Sequence, residues 1–300
     1  MRAVRFDEFG GPEVLRIVEI PAPHPGPGEV RIAVLGAGVN ASDWTKREGL
    51  MDPGLPQYLG YEAAGVVDEV GEGVSDTMLG DRVFGFCPDG RAQADLAVLA
   101  HYAPIPAGLD AQAAAALPSA VETATRALDQ LGVQGGTVLI NGASGGIGSA
   151  AVQLAVARGA RVIGIAGPRN AEYVRDLGAD PVAYGEGVVE RVRRMVPGGV
   201  DRALDIAGNG VLPELILLAG GPDRVLTVAD VDGAAAYGVV FSRGDGGRAL
   251  HALDDLGVLL AAGRFCVPDV QAFPLAEVAR AQKLSRRGGF RGKIVLVPGE

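Results

Sequence analysis

Cysteine is scarce in this chain: Cys87 and Cys266 are the two it has in 300 residues, far apart and outside any CxxC pair. That excludes a disulfide-stapled scaffold and a cysteine-rich metal lobe, and both thiols are expected to be small core residues in a reducing compartment. No apolar run approaches the roughly 18–20 residues of a membrane span. The opening MRAVRFDEFG has no apolar leader core, so a cytoplasmic protein is expected. Positive charge is also short. Lys and Arg number 27 against 36 Asp and Glu, giving a net charge of −9, and only Lys46, Lys283 and Lys293 are lysines. Such a balance argues against a nucleic acid or an anionic membrane as partner. Hydrophobic residues, in contrast, make up 48% and the mean hydropathy is +0.23, enough for a sizeable core and against disorder.

The stretch that organises the rest is 136–154, GTVLINGASGGIGSAAVQL. It starts as an uncharged strand over 137–140, turns through Asn141, Gly142, Ala143, Ser144, Gly145, Gly146, Ile147 and Gly148, and continues as an apolar helix. Strand, glycine turn and helix in that order describe a dinucleotide-binding βα unit. Gly145 lets backbone approach a pyrophosphate, Gly148 lets helix pack against strand, and the helix N-terminus offers N–H groups to phosphate. Ala143 replaces the first glycine of the usual GxGxxG.

Before this stretch the pattern is that of β structure with glycine turns: strands over 2–6, 15–20 and 29–35, a proline-rich connector, Asp43 as a helix cap, then strands after Tyr61–Glu62, over 82–86 and over 92–99. Helix begins at 111–116 and resumes at 123–131. Beyond it strands over 137–140, 161–166, 181–183, 202–206 and 224–229 alternate with helices near 147–158, 170–177, 186–195 and 210–219. That alternation predicts a doubly wound parallel sheet. A further strand is expected at 237–242, helices near 246–262 and over 273–287, and a last strand at 293–297. The fold class is therefore α/β. A Rossmann domain over 119–262 is inserted in a β-rich domain formed by 1–118 and completed by 263–300.

Together the markers Gly38-Val39-Asn40 with Asp43, Gly60-Tyr61-Glu62, Gly80-Asp81-Arg82-Val83, Leu117-Pro118 with Thr123-Ala124, the 141–148 turn, Leu177-Gly178-Ala179-Asp180 and Gly292-Lys293-Ile294-Val295-Leu296 resemble the medium-chain dehydrogenases/reductases, in their zinc-free quinone oxidoreductase branch. The resemblance spans essentially the whole chain and implies that the β-rich part is a GroES-like catalytic domain. Zinc alcohol dehydrogenases of the superfamily place cysteine where Asn40 or Ala41 stands and histidine where Tyr61 stands. Zinc needs three or four Cys, His or carboxylate ligands, and this sequence does not assemble them. The resemblance thus implies zinc-independent hydride transfer to a quinone or to the C=C of an α,β-unsaturated carbonyl. Asn40 and Asp43 fall at cleft-lining positions, and Tyr61 is a candidate hydrogen-bond donor. Relatives commonly read Ala-Tyr-Ala-Glu-Tyr where this chain has Ala92-Gln93-Ala94-Asp95-Leu96, so the acceptor wall is altered.

The cofactor expected is NADPH. The strand over 161–166 ends with no carboxylate to hold a ribose 2′-hydroxyl, and Arg169 supplies a guanidinium suited to a 2′-phosphate. The resemblance adds Tyr184 beside that phosphate and cofactor contacts at Thr123, at Ala207–Gly208 and at Val228–Ala229. Arg291 or Lys293 would reach the pyrophosphate. A short-chain dehydrogenase, which also carries a glycine turn, needs YxxxK, and no tyrosine here has lysine four residues on. A protein that binds NADPH without redox turnover, as a sensor or cyclase, is the competing reading. The apolar strand expected at 237–242 would be an exposed sheet edge, through which a homodimer is expected.

Overall fold

The computed structural model describes residues 1–244 and 247–299. It comprises two compact units, Met1–Ser119 with Val267–Glu300 and Ala120–Cys266.

The first unit opens with β1 (Arg2–Phe6), β2 (Arg16–Glu19) and β3 (Val30–Val39). Then come α1 (Ala41–Arg47), β4 (Gln57–Tyr58), β5 (Glu62–Val70), β6 (Arg82–Phe86), β7 (Leu96–Leu99), β8 (His101–Pro104) and α2 (Ala111–Ala115). The helix α3 (Pro118–Gln130) follows. The first half of β3 alternates buried and open positions, as a strand with one face on the core does, while its second half and the start of β5 are buried on both faces. The core here is built from Val30, Ile32, Val67, Val83 and Leu99. A small sheet has the order β2-β1-β4.

In the second unit the strands are β9 (Thr137–Asn141), β10 (Arg161–Ala166), β11 (Ala179–Ala183), β12 (Arg202–Asp205), β13 (Val225–Thr227) and β14 (Val240–Phe241). Between and after them lie α4 (Gly146–Ala157), α5 (Ala171–Asp176), α6 (Val188–Met195), α7 (Leu212–Ala219), α8 (Val231–Tyr237) and α9 (Ala252–Ala261). All six strands are parallel, in the order β11-β10-β9-β12-β13-β14. Numbered from the first strand of this unit, that is 3-2-1-4-5-6, the Rossmann order, whose ligand crevice lies at the carboxyl ends of strands one and four. Those are β9 and β12. Leu139, Ile163, Ala203, Leu215 and Val225 pack the sheet against its helices.

The chain then returns to the first unit as β15 (Val270–Pro274), α10 (Val278–Arg287) and β16 (Lys293–Val297). β16 pairs with β3 and β15 pairs with β16, extending the sheet to the order β15-β16-β3-β5-β6-β8, with β7 also paired to β3.

Four local expectations are corrected. Asp43 is not the cap of α1: Asn40 is, and Asp43 sits three residues inside, completing a capping box by accepting from the Asn40 backbone N–H. The strand expected at 237–242 is only Val240–Phe241 long, because Asp230 caps α8 and its alanine-rich turn carries helix through Tyr237. Residues Phe273 and Pro274 belong to β15, not to the helix expected over 273–287; the edge of β16 captures them, and proline is unsuited to a helix interior. Cys87 is buried as expected, but Cys266 is exposed. The helix expected near 246–262 is α9, and the expected start at 246 lies outside the described residues. Among the described residues no helix is long and apolar enough to cross a membrane.

Candidate active site and cofactor platform

In the first unit, Asn40, Glu62 and Lys293 form a buried knot from three parts of the chain. The Lys293 ammonium donates to Glu62 Oε1 at 2.7 Å and to Asn40 Oδ1 at 2.6 Å. Asn40 Nδ2 donates to the same Glu62 oxygen at 2.7 Å, and the other, Oε2, accepts from the Ser119 backbone N–H at 2.7 Å. Glu62 is fully buried, and a buried carboxylate needs such compensation. Gly38 makes room for it: a Cβ there would collide with the Glu62 carboxyl. Lys293 is thereby committed inside the unit, away from the pyrophosphate contact expected of it, and Arg291 is paired with Asp269 at the surface.

Asp43 lies against this knot, fully buried, with Oδ2 accepting from the Asn40 backbone N–H at 2.8 Å and from Gln93 Nε2 at 3.2 Å. Its Oδ1 has no hydrogen-bond partner among the described residues. Burial pushes the carboxyl up to about 6, against the pull of the Asn40 N–H, and the Glu62 charge pushes the same way. Tyr61 is half-buried, with the Lys46 ammonium 5.4 Å from its ring centroid. Lys46 also donates to the Tyr58 carbonyl at 3.1 Å, and burial holds its ammonium below the ordinary lysine value. Sequence reasoning missed Lys46, Gln93 and Glu62 as parts of this cluster. Glu62 carried a signal in the Gly-Tyr-Glu marker and Gln93 in its place where relatives have tyrosine; Lys46 carried none.

In the second unit the glycine turn is shaped by close contact. A Cβ on Gly148 would strike the Gly142 carbonyl oxygen, so the first turn of α4 can lie this near the strand end only with glycine there. Gly145 caps α4, and the space beside its α-carbon is open apart from the Gly142 oxygen at 3.6 Å. Backbone with that freedom, at the start of a twelve-residue helix, suits a pyrophosphate. Ala143 is buried, its methyl packed towards Gly164 of β10, while Ser144 Oγ accepts from Asn170 Nδ2 at 3.0 Å. Gly146 and Ile147 are partly open.

The other expected cofactor positions fall beside this turn. A Cβ on Gly142 would lie 3.0 Å from that of Ala207, and one on Gly208 would lie 3.6 Å from that of Ala229. The loops after β9, β12 and β13 are therefore neighbours, with Ala207 and Ala229 exposed and Val228 half-buried. Arg169, exposed just past β10, makes no hydrogen bond or ion pair with the described residues. Tyr184 is 66% exposed, and its ring edge stands 3.3 Å from where a Cβ of Gly167 would be, two residues from Arg169. Arg191, which sequence reasoning missed, fixes that turn by donating to the carbonyls of Ala183, Tyr184, Gly185 and Glu186. Thr123 on α3 donates to Glu122 Oε2 of its own helix at 3.2 Å.

Residues 26–121 match the family described as alcohol dehydrogenase GroES-like domain, and 146–229 that described as zinc-binding dehydrogenase. Rat quinone oxidoreductase is 36% identical over 239 residues, covering 76% of this chain and 73% of its own. The solved quinone oxidoreductase of Coxiella burnetii superposes with a TM-score of 0.87 at 29% identity, covering 100% of this chain and 99% of its own. A mycobacterial protein solved with NADPH superposes at 0.85 with 28% identity, covering 99% and 100%. The fold thus defines a medium-chain dehydrogenase/reductase, a GroES-like unit joined to a Rossmann unit. The chain belongs to that family in its quinone oxidoreductase-like branch, and so to the nicotinamide-dependent oxidoreductases.

The zinc in the second family description does not fit the residues present. Among the described residues no group of three His, Cys, Asp or Glu could hold a metal, and the Glu62 oxygen nearest Asn40 is already shared by an ammonium and an amide.

The buried Asp43 carries a pH dependence. Unfolded, its carboxyl gives up a proton near 3.8; folded, it holds the proton to about 6. Between those values the folded state binds more protons, so this group's contribution to stability falls as pH rises from about 4 to about 6. Asp43→Asn should remove that slope, making the variant's stability relative to the parent about 1–3 kcal/mol better at pH 7 than at pH 4. Urea unfolding of both proteins across that range reads it; parallel curves would contradict the assignment.

Proposed function

We propose that the protein is a zinc-independent NADPH-dependent reductase that passes hydride to a quinone or to the C=C of an α,β-unsaturated carbonyl. The observation that carries the reading is the Lys293–Glu62–Asn40 knot, in which Asn40, at the position where zinc relatives carry cysteine, is an amide bonded to Glu62 and Lys293. Without a Lewis acid to activate an alcohol, an acceptor polarised by its own conjugation is the natural partner. Bound NADPH would supply the hydride. The domain over 119–262 would hold it, with phosphates at Ser144, Gly145, Gly146, Ile147 and Gly148. Ala143, Thr123, Ala207–Gly208 and Val228–Ala229 would complete the contacts.

For the acceptor, Asn40 keeps one amide N–H beyond the bond it gives Glu62, and Tyr61 carries a phenol hydroxyl. Either would stabilise the oxygen that gains negative charge when hydride arrives. Asp43 would hold Asn40 in place through its backbone N–H and charge state. The proton that completes the reduction comes from solvent.

NADPH is favoured over NADH by Arg169, an exposed guanidinium with no internal partner, beside the ring of Tyr184 and with no carboxylate at the end of β10. The strand β14 forms one edge of the sheet, and its Val240 is 53% exposed. That edge would pair with a second copy across a two-fold axis.

Three measurements test these readings. The chelator-treated protein should oxidise NADPH with at least one acceptor in a panel of quinones and α,β-unsaturated ketones. Tight NADPH binding without any turnover would instead favour a sensor or cyclase. Arg169→Ala should raise the NADPH dissociation constant about tenfold or more while moving the NADH constant less than about threefold; equal effects would refute the 2′-phosphate role. Light scattering at micromolar concentration should give twice the chain mass, and a monomer would exclude the dimer.

A further inference from the structure

Asp205, the last residue of β12, is fully buried, and no salt bridge involving it is present among the described residues. Four hydrogen bonds hold its carboxylate instead. Its Oδ1 accepts from Asn141 Nδ2 at 2.8 Å, from the Gly208 backbone N–H at 2.9 Å and from the Ala207 N–H at 3.2 Å. Oδ2 accepts from the Thr227 hydroxyl at 2.8 Å. The Thr227 oxygen in turn accepts from the backbone N–H groups of Ala229 and Asp230, both at 3.1 Å. Asn141 closes the circuit by donating also to the Gly208 carbonyl at 3.4 Å.

Burying a carboxylate is costly, and donors converging on it are the usual compensation. The position of these donors is what carries meaning. They come from the ends of β9, β12 and β13, immediately before the glycine turn, within the 207–208 loop and before the 228–230 loop. A carboxylate placed there has no effect on the hydrophobic core that an apolar residue could not better provide. What it does is set three loop backbones against one another.

We infer that Asp205 is a positioning residue for the nicotinamide cofactor, acting through Asn141 and Thr227 to fix the three loops at the carboxyl end of the parallel sheet. The inference rests on the reading above that these loops hold the cofactor. Asp205 itself touches no ligand in this account. Thr227 is its extension: the hydroxyl donates once, to Asp205, and both its lone pairs are used by the 229 and 230 amides. Any change at either residue that removes or reverses this donor order frees the 228–230 loop.

The test uses the full chain and reads the loop and the cofactor separately. Thr227→Val keeps the β-branched shape and removes the oxygen; Thr227→Ser restores it. Asp205→Asn presents an amide N–H to a Thr227 oxygen whose lone pairs are taken, while its remaining oxygen still accepts from Asn141, Ala207 and Gly208. In the cofactor-free protein, the amides of Ala229 and Asp230 should exchange about tenfold faster in Thr227→Val and Asp205→Asn than in the parent. The NADPH dissociation constant should rise about tenfold, with kcat at saturating NADPH within about threefold. Thr227→Ser should return both values to those of the parent. Unchanged exchange at 229 and 230 in both variants would overturn the clamp itself. Faster exchange with unchanged NADPH affinity would leave the clamp in place but overturn its role in cofactor binding, and with it the assignment of 228–229 as a cofactor loop. Asp205→Asn guards against loss of folding in Thr227→Val, since it alters one atom of the same network.

Discussion

The approach of α4 to the end of β9 is the constraint on which the rest of the second unit depends. A helix begun this close to a strand requires glycine at 148, where any side chain would meet the Gly142 carbonyl oxygen. Once that turn is set, α4 begins just past the carboxyl end of β9, where the strand order reverses between β9 and β12. The loops after β12 and β13 must then stand beside the turn, and Asp205 supplies the shared acceptor that keeps them there. The helix N-terminus and these loops thus stand together, and on the proposed reading their backbone N–H groups would receive an anionic ligand without any large basic surface. That agrees with a chain whose net charge is −9.

The first unit solves a different problem with similar means. Glu62 is buried at the start of β5, and its charge is neutralised by a lysine from the last strand of the chain, 231 residues away. This ties β16 to β5 and to the start of α1 through Asn40, in the part of the unit where Asp43 and Tyr61 also lie. One buried anion balanced by one buried cation leaves Asp43 as an additional acid in the same low-dielectric region. Its raised carboxyl follows from burial first, with the Glu62 charge adding to it. On the proposed reading, the unit offers a reacting carbonyl an amide and a phenol, beside a carboxyl that holds its proton to about 6.

Much of this was legible from the residues alone, for identifiable reasons. Alternation of apolar strands with helices is a local pattern, so the parallel sheet and the glycine turn were readable, down to the need for Gly148. Arg169 was singled out because a missing carboxylate at a strand end is itself a signal, and Tyr184 only through the family resemblance. Asp205 was not, since its partners lie 64 residues before and 22 residues after it, and only the strand order brings them together. Lys293 misled for a related reason: its position near the C-terminus suggested a phosphate contact, whereas antiparallel pairing of β16 with β3 delivers it to Glu62. The strand β14 was expected too long, and β15 was missed, because each depends on what its neighbours do. A capped alanine helix takes Tyr237, and an available strand edge takes Phe273.

The central claim is that the loops after β9, β12 and β13, with Arg169 and Tyr184, form one nucleotide platform. Amide hydrogen exchange of the unmodified protein, with and without saturating NADPH, tests it most directly. The account predicts slowed exchange at 142–148, 207–209 and 228–230, and in the segments carrying Arg169 and Tyr184. Protection confined to other segments, or none at NADPH concentrations that saturate binding, would contradict it.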